Sequence, residues 1–269
     1  MMKKFFYILS LSFVFMSCNE YNKILKSKDY EKKYEYAKKY YDEKKYTRTA
    51  TLLGDIVTLM KGTPRGEECL FLLGKSHYMN KEYGAASQYF HTYYKNYPRG
   101  EFNELARFYC GYGYYLDSPE ARLDQSTSYR AIDELQSFLE YYPKSIHADT
   151  AQQAIFELQD KLVEKELYNA QLYYNLGNYL MANNYESAAI TAQNALKDYP
   201  YTKYKEELQY LILKAKYEEA VHSIEEKRLD RYRDVVDEYY TYSAEFPDGK
   251  YAKEAKNILL MAEKYTMNN

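Results

Sequence analysis

Four aromatic–proline pairs punctuate the chain and prevent any helix from running through them. They are Tyr97-Pro98, Tyr142-Pro143, Tyr199-Pro200 and Phe246-Pro247. Proline stops a helix, and it biases the residue before it away from the α region. Each pair ends an amphipathic stretch and precedes another, whereas alternating β-branched runs and Asn-Gly hairpin turns are missing from the sequence. The chain is therefore predicted to be all-α and built from repeated helical hairpins.

The segment from Glu67 to Pro98 fits the 34-residue tetratricopeptide pattern. Gly74 and Ala86 occupy the small positions at which the two helices of a hairpin cross closely. Larger side chains are expected to fill the space around this crossing: Leu70, Leu73, Phe90 and Tyr93. The pattern predicts a tetratricopeptide-like superhelical solenoid of about five helical hairpins.

The other repeats vary around this pattern. The predicted boundaries are about 29–64, 65–98, 100–143, 146–200 and 203–247, with a capping helix over 249–266. The third repeat holds an insertion around residues 117–126. In the fourth, an extra helix over roughly 147–165 is predicted to precede a first helix that carries Leu176, Gly177 and Leu180. The last helix has one apolar stripe, suited to closing the array: Tyr251, Ala255, Ile258, Leu259 and Ala262.

The N-terminus predicts a lipid anchor. Lys3 and Lys4 precede an apolar run too short to span a bilayer comfortably, which is typical of a signal peptide over residues 1–17. Ser17-Cys18 then resembles a bacterial lipobox, so Cys18 is the predicted lipid attachment site, and residues 18–28 a lipid-anchored linker. An uncleaved anchor and a plain secretory signal are the alternatives.

Composition excludes several classes of function. The net charge of −2 gives no global case for nucleic-acid binding. The four histidines lack metal-ligand spacing, so neither a metal nor a cofactor is expected. Gly-rich phosphate loops, GxSxG and HExxH motifs are absent, which favours a protein that is not an enzyme. Cys69 and Cys110 lie in apolar helical patterns and are expected to be buried thiols more readily than a disulfide.

Tyrosine supplies much of the apolar surface, because the chain has 37 Tyr and no Trp. Tyrosine can half-bury its ring on a helix and still form hydrogen bonds. The abundance therefore has two interpretations, namely helix packing or a tyrosine-rich surface that binds peptides. A glycan-binding lipoprotein is disfavoured because sugar-stacking Trp is absent.

The lipobox, the repeat number and the third-repeat insertion together resemble the BamD family of Bacteroidetes-type bacteria. The most specific residues are Ser118-Pro119, Leu123 to Ser126, Ala131 to Leu139 and Tyr142-Pro143. The resemblance implies a non-catalytic lipoprotein of the outer membrane that faces the periplasm. It also implies that the protein docks on the BamA barrel subunit and helps to recognise and insert unfolded outer-membrane proteins. The alternative is another envelope tetratricopeptide scaffold, linked to cell division or peptidoglycan.

Two sets of candidate residues follow from this resemblance. An aromatic and basic groove on the first helices of repeats one and two would suit a peptide that ends in Phe and a carboxylate: Tyr34, Tyr41, Phe71, Lys75 and Tyr78. Docking on the barrel subunit is assigned to the fifth repeat: Lys214, Lys216, Tyr217 and Arg228. Ordinary helix packing and solvated charge are the alternatives for each of the five groove residues.

The segment from Glu20 to Arg48 is basic, with ten Lys and Arg against six Asp and Glu. Because it directly follows the predicted anchor, attraction to anionic headgroups is one interpretation. A charged, solvated helix face is the other. The residues after Cys18 do not form an acidic run, and this favours the periplasmic side of the membrane.

Overall fold

The computed structural model describes residues 20–179 and 182–267, so the predicted signal peptide, Cys18 and Leu180 lie outside the described part. Residues 20–25 are helical. The helices that follow are α1 (Tyr30–Asp42), α2 (Tyr46–Met60), α3 (Gly66–Met79), α4 (Tyr83–Asn96), α5 (Asn103–Asp117), α6 (Ser126–Tyr141), α7 (Ala148–Leu176), α8 (Asn184–Asp198), α9 (Lys205–Val221), α10 (Glu225–Glu245) and α11 (Ala252–Thr266).

The chain divides into two compact units. One comprises residues up to Ser118 together with Ser126–Ile155, and the other comprises Pro119–Gln125 and Phe156 onward. In the first unit, each helix from α1 to α5 packs against its successor in the chain. In the second, α8, α9, α10 and α11 pack in the same sequential manner, and α9 also contacts α11. The predicted all-α fold of tetratricopeptide-type hairpins is confirmed.

The aromatic–proline pairs end the second helices of four hairpins. Helices α4, α6, α8 and α10 stop at Asn96, Tyr141, Asp198 and Glu245, each directly before its pair. All four pairs therefore act as the helix stops that the sequence predicts. At the other end of a hairpin, Asp29 caps α1 by accepting a hydrogen bond from the Lys32 amide at 3.0 Å.

The crossing of α3 and α4 is as close as the sequence predicts. A Cβ on Gly74 would lie 2.9 Å from Cε1 of Phe90, so a side chain at this position would displace the ring. Leu73, Ala86 and Phe90 are fully buried around the contact. In the next hairpin, a Cβ on Gly111 would lie 2.8 Å from Cγ of Leu135. The small residues of the repeat pattern thus set the spacing of the paired helices.

The fourth repeat departs from its predicted form. The expected extra helix and the expected first helix are a single helix, α7, which is 29 residues long. Neither proline nor glycine occurs inside it, so nothing in the sequence breaks the hydrogen-bond ladder. Gly177, predicted within the first helix of this repeat, instead follows the last turn of α7 with a φ of 53°, and its amide donates to the Tyr173 and Tyr174 carbonyls. It is a C-terminal cap.

The insertion in the third repeat packs with the second unit. Residues 119–125 connect α5 to α6 and group with the later part of α7. The Arg122 guanidinium lies 4.4 Å from the centre of the Tyr168 ring. The Lys165 ammonium donates to the Leu123 carbonyl at 3.2 Å. These contacts give the inserted residues a defined position, so the insertion is an ordered part of this unit.

Two smaller features differ from a simple anchored linker. Part of the predicted linker, residues 20–25, is helical, and the side chain of Ile24 is only 2 % exposed in the core beneath α1 and α2. Cys69 and Cys110 are free and buried. Burial raises the pKa of the Cys69 thiol to about 12, which keeps it protonated at neutral pH.

Candidate functional site

Two of the five predicted groove residues belong to the core. Tyr34 is 2 % exposed, and its hydroxyl donates a hydrogen bond to Glu68. Phe71 is 7 % exposed, and its ring stacks on Phe102 with the ring centres 4.4 Å apart. Because their side chains are used in packing, neither residue offers a surface to a ligand.

The other three predicted groove residues are half-buried and lie near one another. Tyr41 lies in the last turn of α1, and Lys75 and Tyr78 share one face of α3 at i and i+3. The Lys75 ammonium lies 3.9 Å from the ring centre of Tyr109 on α5 and 5.6 Å from that of Tyr78. The Tyr78 and Tyr109 rings meet edge to face at 4.9 Å. We call Tyr41, Lys75, Tyr78 and Tyr109 the tyrosine–lysine cluster.

The cluster holds a cation among neutral hydroxyl groups. Within residues 20–179 and 182–267, no carboxylate forms an ion pair with Lys75. Burial, and next the neighbouring Tyr109, raise the pKa of Tyr78 far above its usual range. Burial, then Tyr46 and Tyr109, also raise the pKa of Tyr41. The phenols therefore remain protonated and can donate hydrogen bonds to an anion beside the ammonium.

Tyr109 was not among the residues predicted from sequence. It lies in an aromatic run with Phe108, Tyr112, Tyr114 and Tyr115, and no spacing rule distinguishes it from these neighbours. Only the packing of α5 against α4 shows that Tyr109 stacks on Phe90, at 5.4 Å, and faces Lys75. Aromatic density was the one sequence signal that pointed to this helix.

The residues predicted to dock on a barrel subunit have several different roles. Lys216 forms an ion pair with Glu238 at 2.6 Å. Arg228 donates to the Ser223 carbonyl at 2.7 Å and pairs with Glu225, so it holds the turn before α10. Tyr217 packs edge to face on Tyr232. Lys214 lies 4.5 Å from the ring centre of Tyr174 and stays half-buried.

A cavity lies elsewhere in the first unit, among α4, α5 and α6. Its wall carries both signs of charge, from Arg130, Asp133 and Glu134, beside His91. Glu134 already accepts the Tyr94 hydroxyl at 2.7 Å. Because the opposite charges lie side by side, this cavity has no preference for one sign of ligand. The tyrosine–lysine cluster is the better candidate site for an anion.

Comparison with known proteins places the chain in a family. The family model described as outer membrane lipoprotein, YfiO, matches residues 26–185. The chain belongs to this family, the BamD family of outer membrane lipoproteins. No curated protein matches the chain.

The BamD match covers all four residues of the tyrosine–lysine cluster, whereas Lys214, Lys216, Tyr217 and Arg228 lie beyond it. Across the two described ranges, no helix combines the length and apolarity that a bilayer span requires. Nor do the described His, Cys, Asp and Glu side chains form a group that could hold a metal ion.

Proposed function

We propose that this outer membrane lipoprotein is a non-catalytic subunit of the β-barrel assembly complex. It docks on a BamA-type barrel subunit and helps to recognise and insert unfolded outer-membrane proteins. Cys18 carries the lipid, and the folded chain faces the periplasm. Membership of the BamD family supports this role, and the tyrosine–lysine cluster supplies a chemistry for the recognition step.

The observation that carries the recognition step is the position of Lys75. Its ammonium lies on the Tyr109 ring with no carboxylate paired to it in the described chain. A peptide that ends in an aromatic residue would place its terminal carboxylate on this ammonium and its ring against the tyrosines. The phenols of Tyr41 and Tyr78 would complete the contacts by donating hydrogen bonds to the carboxylate.

A pair of peptides tests this proposal. Both end in phenylalanine, one with a free carboxylate and the other with a carboxamide, and their binding is measured by fluorescence anisotropy. We expect the free acid to bind more tightly. Replacing Lys75 with Gln should weaken its binding by roughly tenfold, because a charge-assisted hydrogen bond is lost, and should leave the amide unchanged.

The matched control is Lys95→Gln, an exposed lysine beside the Tyr94 ring in the same unit. It makes the same change in charge and should leave both affinities unchanged. Equal binding of the two peptides to the unmodified protein would contradict the proposed site. So would equal losses for Lys75→Gln and Lys95→Gln.

Docking on the barrel subunit is tested separately, by purifying the tagged protein from detergent-solubilised envelopes. Recovery of a large outer-membrane barrel with periplasmic domains is expected. We expect Lys214→Gln to reduce its yield, because Lys214 lies on tyrosine rings and forms no ion pair within the described residues, and the exposed Lys197→Gln should not. Recovery of division or peptidoglycan proteins without a barrel would instead support a different envelope scaffold.

A further inference from the structure

Residues 20–25, which follow Cys18 closely in the sequence, pack into a cluster of aromatic rings. Tyr21, which lies in the helical residues 20–25, meets Tyr40 of α1 edge to face at 5.9 Å, and Tyr36 lies 6.3 Å from Tyr40. The Tyr36 hydroxyl donates to Glu20 at 2.9 Å. Burial of Ile24 fixes the same short helix to the core. The residues nearest to the proposed anchor are therefore held in place on α1.

Cations surround these rings. The guanidinium of Arg48 lies 5.0 Å from the Tyr21 ring centre and 5.5 Å from that of Tyr40. The ammonium groups of Lys45 and Lys39 lie 5.5 Å from Tyr40 and Tyr36, respectively. Lysine above a tyrosine ring keeps its charge in water while its stem covers apolar surface. The patch thus combines the buried ring of Tyr40 and the half-buried rings of Tyr21 and Tyr36 with an outer layer of positive charge.

Most acidic residues of this segment already have a partner, whereas several lysines have none among the described residues. Arg65 pairs with both Glu31 and Glu35, and Asp29 caps α1. Apart from Lys44 in the turn after α1, five exposed lysines of the segment have no ion-pair partner among the described residues: Lys23, Lys26, Lys28, Lys32 and Lys39. Lys32, Tyr36 and Lys39 follow one another at i, i+4 and i+7, so they share one face of α1. The net positive charge of the segment is therefore presented to its surroundings.

We propose that the basic face of residues 20–48, which presents the five exposed lysines together with Tyr21 and Tyr36, binds anionic phospholipids. It would contact their headgroups in the membrane to which the protein is anchored. The inference rests on the lipid at Cys18, which would hold the face within a few residues of the bilayer. Tyrosine is suited to the boundary between headgroups and acyl chains, and lysines near an anionic surface are attracted to it. The contact would fix the orientation of the first hairpin on the membrane.

The test uses the mature, lipidated protein reconstituted in two kinds of vesicle. One is phosphatidylcholine alone, and the other has one part in three phosphatidylglycerol. Each lysine is labelled with an amine-reactive reagent and quantified by mass spectrometry. We expect Lys23, Lys26, Lys28, Lys32 and Lys39 to be labelled severalfold more slowly on the anionic vesicles. High salt should abolish the difference, because it screens charges at exposed sites.

Exposed lysines of the second unit provide the internal reference. Lys197, Lys227 and Lys253 should be labelled equally on both vesicles. A variant with Lys23, Lys28 and Lys32 changed to Gln should lose the protection of Lys26 and Lys39, whereas the same change at Lys197, Lys227 and Lys253 should keep it. Equal labelling of the five N-terminal lysines on both vesicles would overturn the proposal.

Failure of the anchor is distinguished from failure of the surface. Intact-mass measurement shows whether Cys18 carries acyl chains. If it carries none, sedimentation of the same protein with the two vesicles still tests the face, since phosphatidylglycerol alone should then increase the bound fraction. No dependence on phosphatidylglycerol in either format would overturn the lipid-binding face, while the peptide titration at Lys75 is unaffected by either result.

Discussion

The hairpin α3–α4 of the first unit and the hairpin α9–α10 of the second share a construction, residue by residue. In the first turn of each hairpin's first helix, a glutamate accepts hydrogen bonds from a tyrosine of the second helix and from a backbone amide that follows the aromatic–proline pair. Glu67 accepts the Tyr93 hydroxyl and, at 2.7 Å, the Glu101 amide. Glu206 accepts the Tyr242 hydroxyl at 2.9 Å and the Tyr251 amide at 3.2 Å. We call each arrangement a glutamate–tyrosine latch.

The correspondence continues along the first helix of each hairpin. Four residues after the glutamate, an aromatic ring stacks on the start of the next helix, with 4.4 Å between Phe71 and Phe102 and 4.3 Å between Tyr210 and Tyr251. Four residues later come Lys75 and Lys214, each over tyrosine rings. The scaffold that positions the lysine is therefore the same in both hairpins.

The difference lies one helical turn further on. Met79 follows Lys75 at i+4, whereas Glu218 follows Lys214 at i+4. Burial is the main cause that raises the pKa of Tyr217 and of Tyr174, and the charge of Glu218 is the second cause for both. A carboxylate therefore acts on these two tyrosines of the second hairpin. The shared scaffold thus fixes where the lysine lies, and the residue one turn further on decides whether a carboxylate acts on the same tyrosine as the lysine.

The largest expected effect comes from removing a latch. Glu67→Leu and Glu206→Leu each leave a buried tyrosine hydroxyl without its acceptor and free a backbone amide. We expect each variant to lower the free energy of unfolding by about 1–3 kcal/mol. Urea unfolding followed by circular dichroism measures this as a lower midpoint.

Glu104→Leu is the control for the latches, since Glu104 stands at the same place on α5. There the Tyr142 hydroxyl donates to Asn103 instead, at 3.0 Å. This variant should stay within about 0.5 kcal/mol of the unmodified protein, as surface substitutions generally do. A loss as large as that of Glu67→Leu would show that the glutamate–tyrosine hydrogen bond is not the source of the stability.

A smaller effect is expected from exchanging the residue that separates the two hairpins. Met79→Glu places a carboxylate one turn after Lys75, on an exposed position. Because an i,i+4 carboxylate competes for the ammonium, affinity for the peptide with a free terminal carboxylate should fall severalfold. The isosteric Met79→Gln adds no charge and should have little effect, and equal losses for the two variants would attribute the change to shape.

The reciprocal change is Glu218→Met. It removes the carboxylate one helical turn after Lys214, so the second unit should gain measurable binding of the same peptide. Anisotropy titrations of a Lys75→Gln background isolate this gain from the first site. If no binding appears there, the two hairpins differ by more than this one position.

The last prediction concerns two half-buried phenols, which should affect stability least at neutral pH and clearly in alkali. Burial, then Glu164, raise the pKa of Tyr204 to about 12, and burial, then Glu218, raise that of Tyr174 to about 12. The unfolded value is about 10. A raised pKa gives stability that is complete below pH 10 and is lost as the pH rises toward 12.

These two groups should therefore leave the urea midpoint almost unchanged between pH 7 and 9. They should lower it above pH 10. Tyr204→Phe cannot ionise, so its midpoint should fall less steeply over the alkaline range. An identical alkaline slope in the variant would exclude Tyr204 as a contributor.

Much of the fold could be predicted because its signals are local. Proline acts on its own residue and the one before it, so the helix ends at Asn96, Tyr141, Asp198 and Glu245 follow from the sequence. Gly74 and Ala86 mark a close crossing through their size alone. The boundary that failed, inside α7, relied on repeat spacing in a stretch with no glycine or proline to break the helix.

The candidate site was predicted only in part, because contacts between residues far apart in the sequence decide which side chains stay exposed. The spacing of Lys75 and Tyr78 places them on one helix face, and this could be predicted from the sequence. Tyr34 and Phe71 share the same aromatic character, and only packing against Glu68 and Phe102 shows that they are internal. Periodicity gives the side of a helix, and the neighbouring helices decide how much of that side stays open.

The sequence by itself determined that the chain forms helical hairpins, where most of them end and which small residues let them cross, because backbone propensity and side-chain size act locally. The tertiary structure alone decided which charges remain available. It pairs Lys216 with Glu238, uses Arg228 to hold a turn, and leaves Lys75 on the rings of Tyr78 and Tyr109. Pairing of charges depends on distances in space, and those are set only when the helices pack.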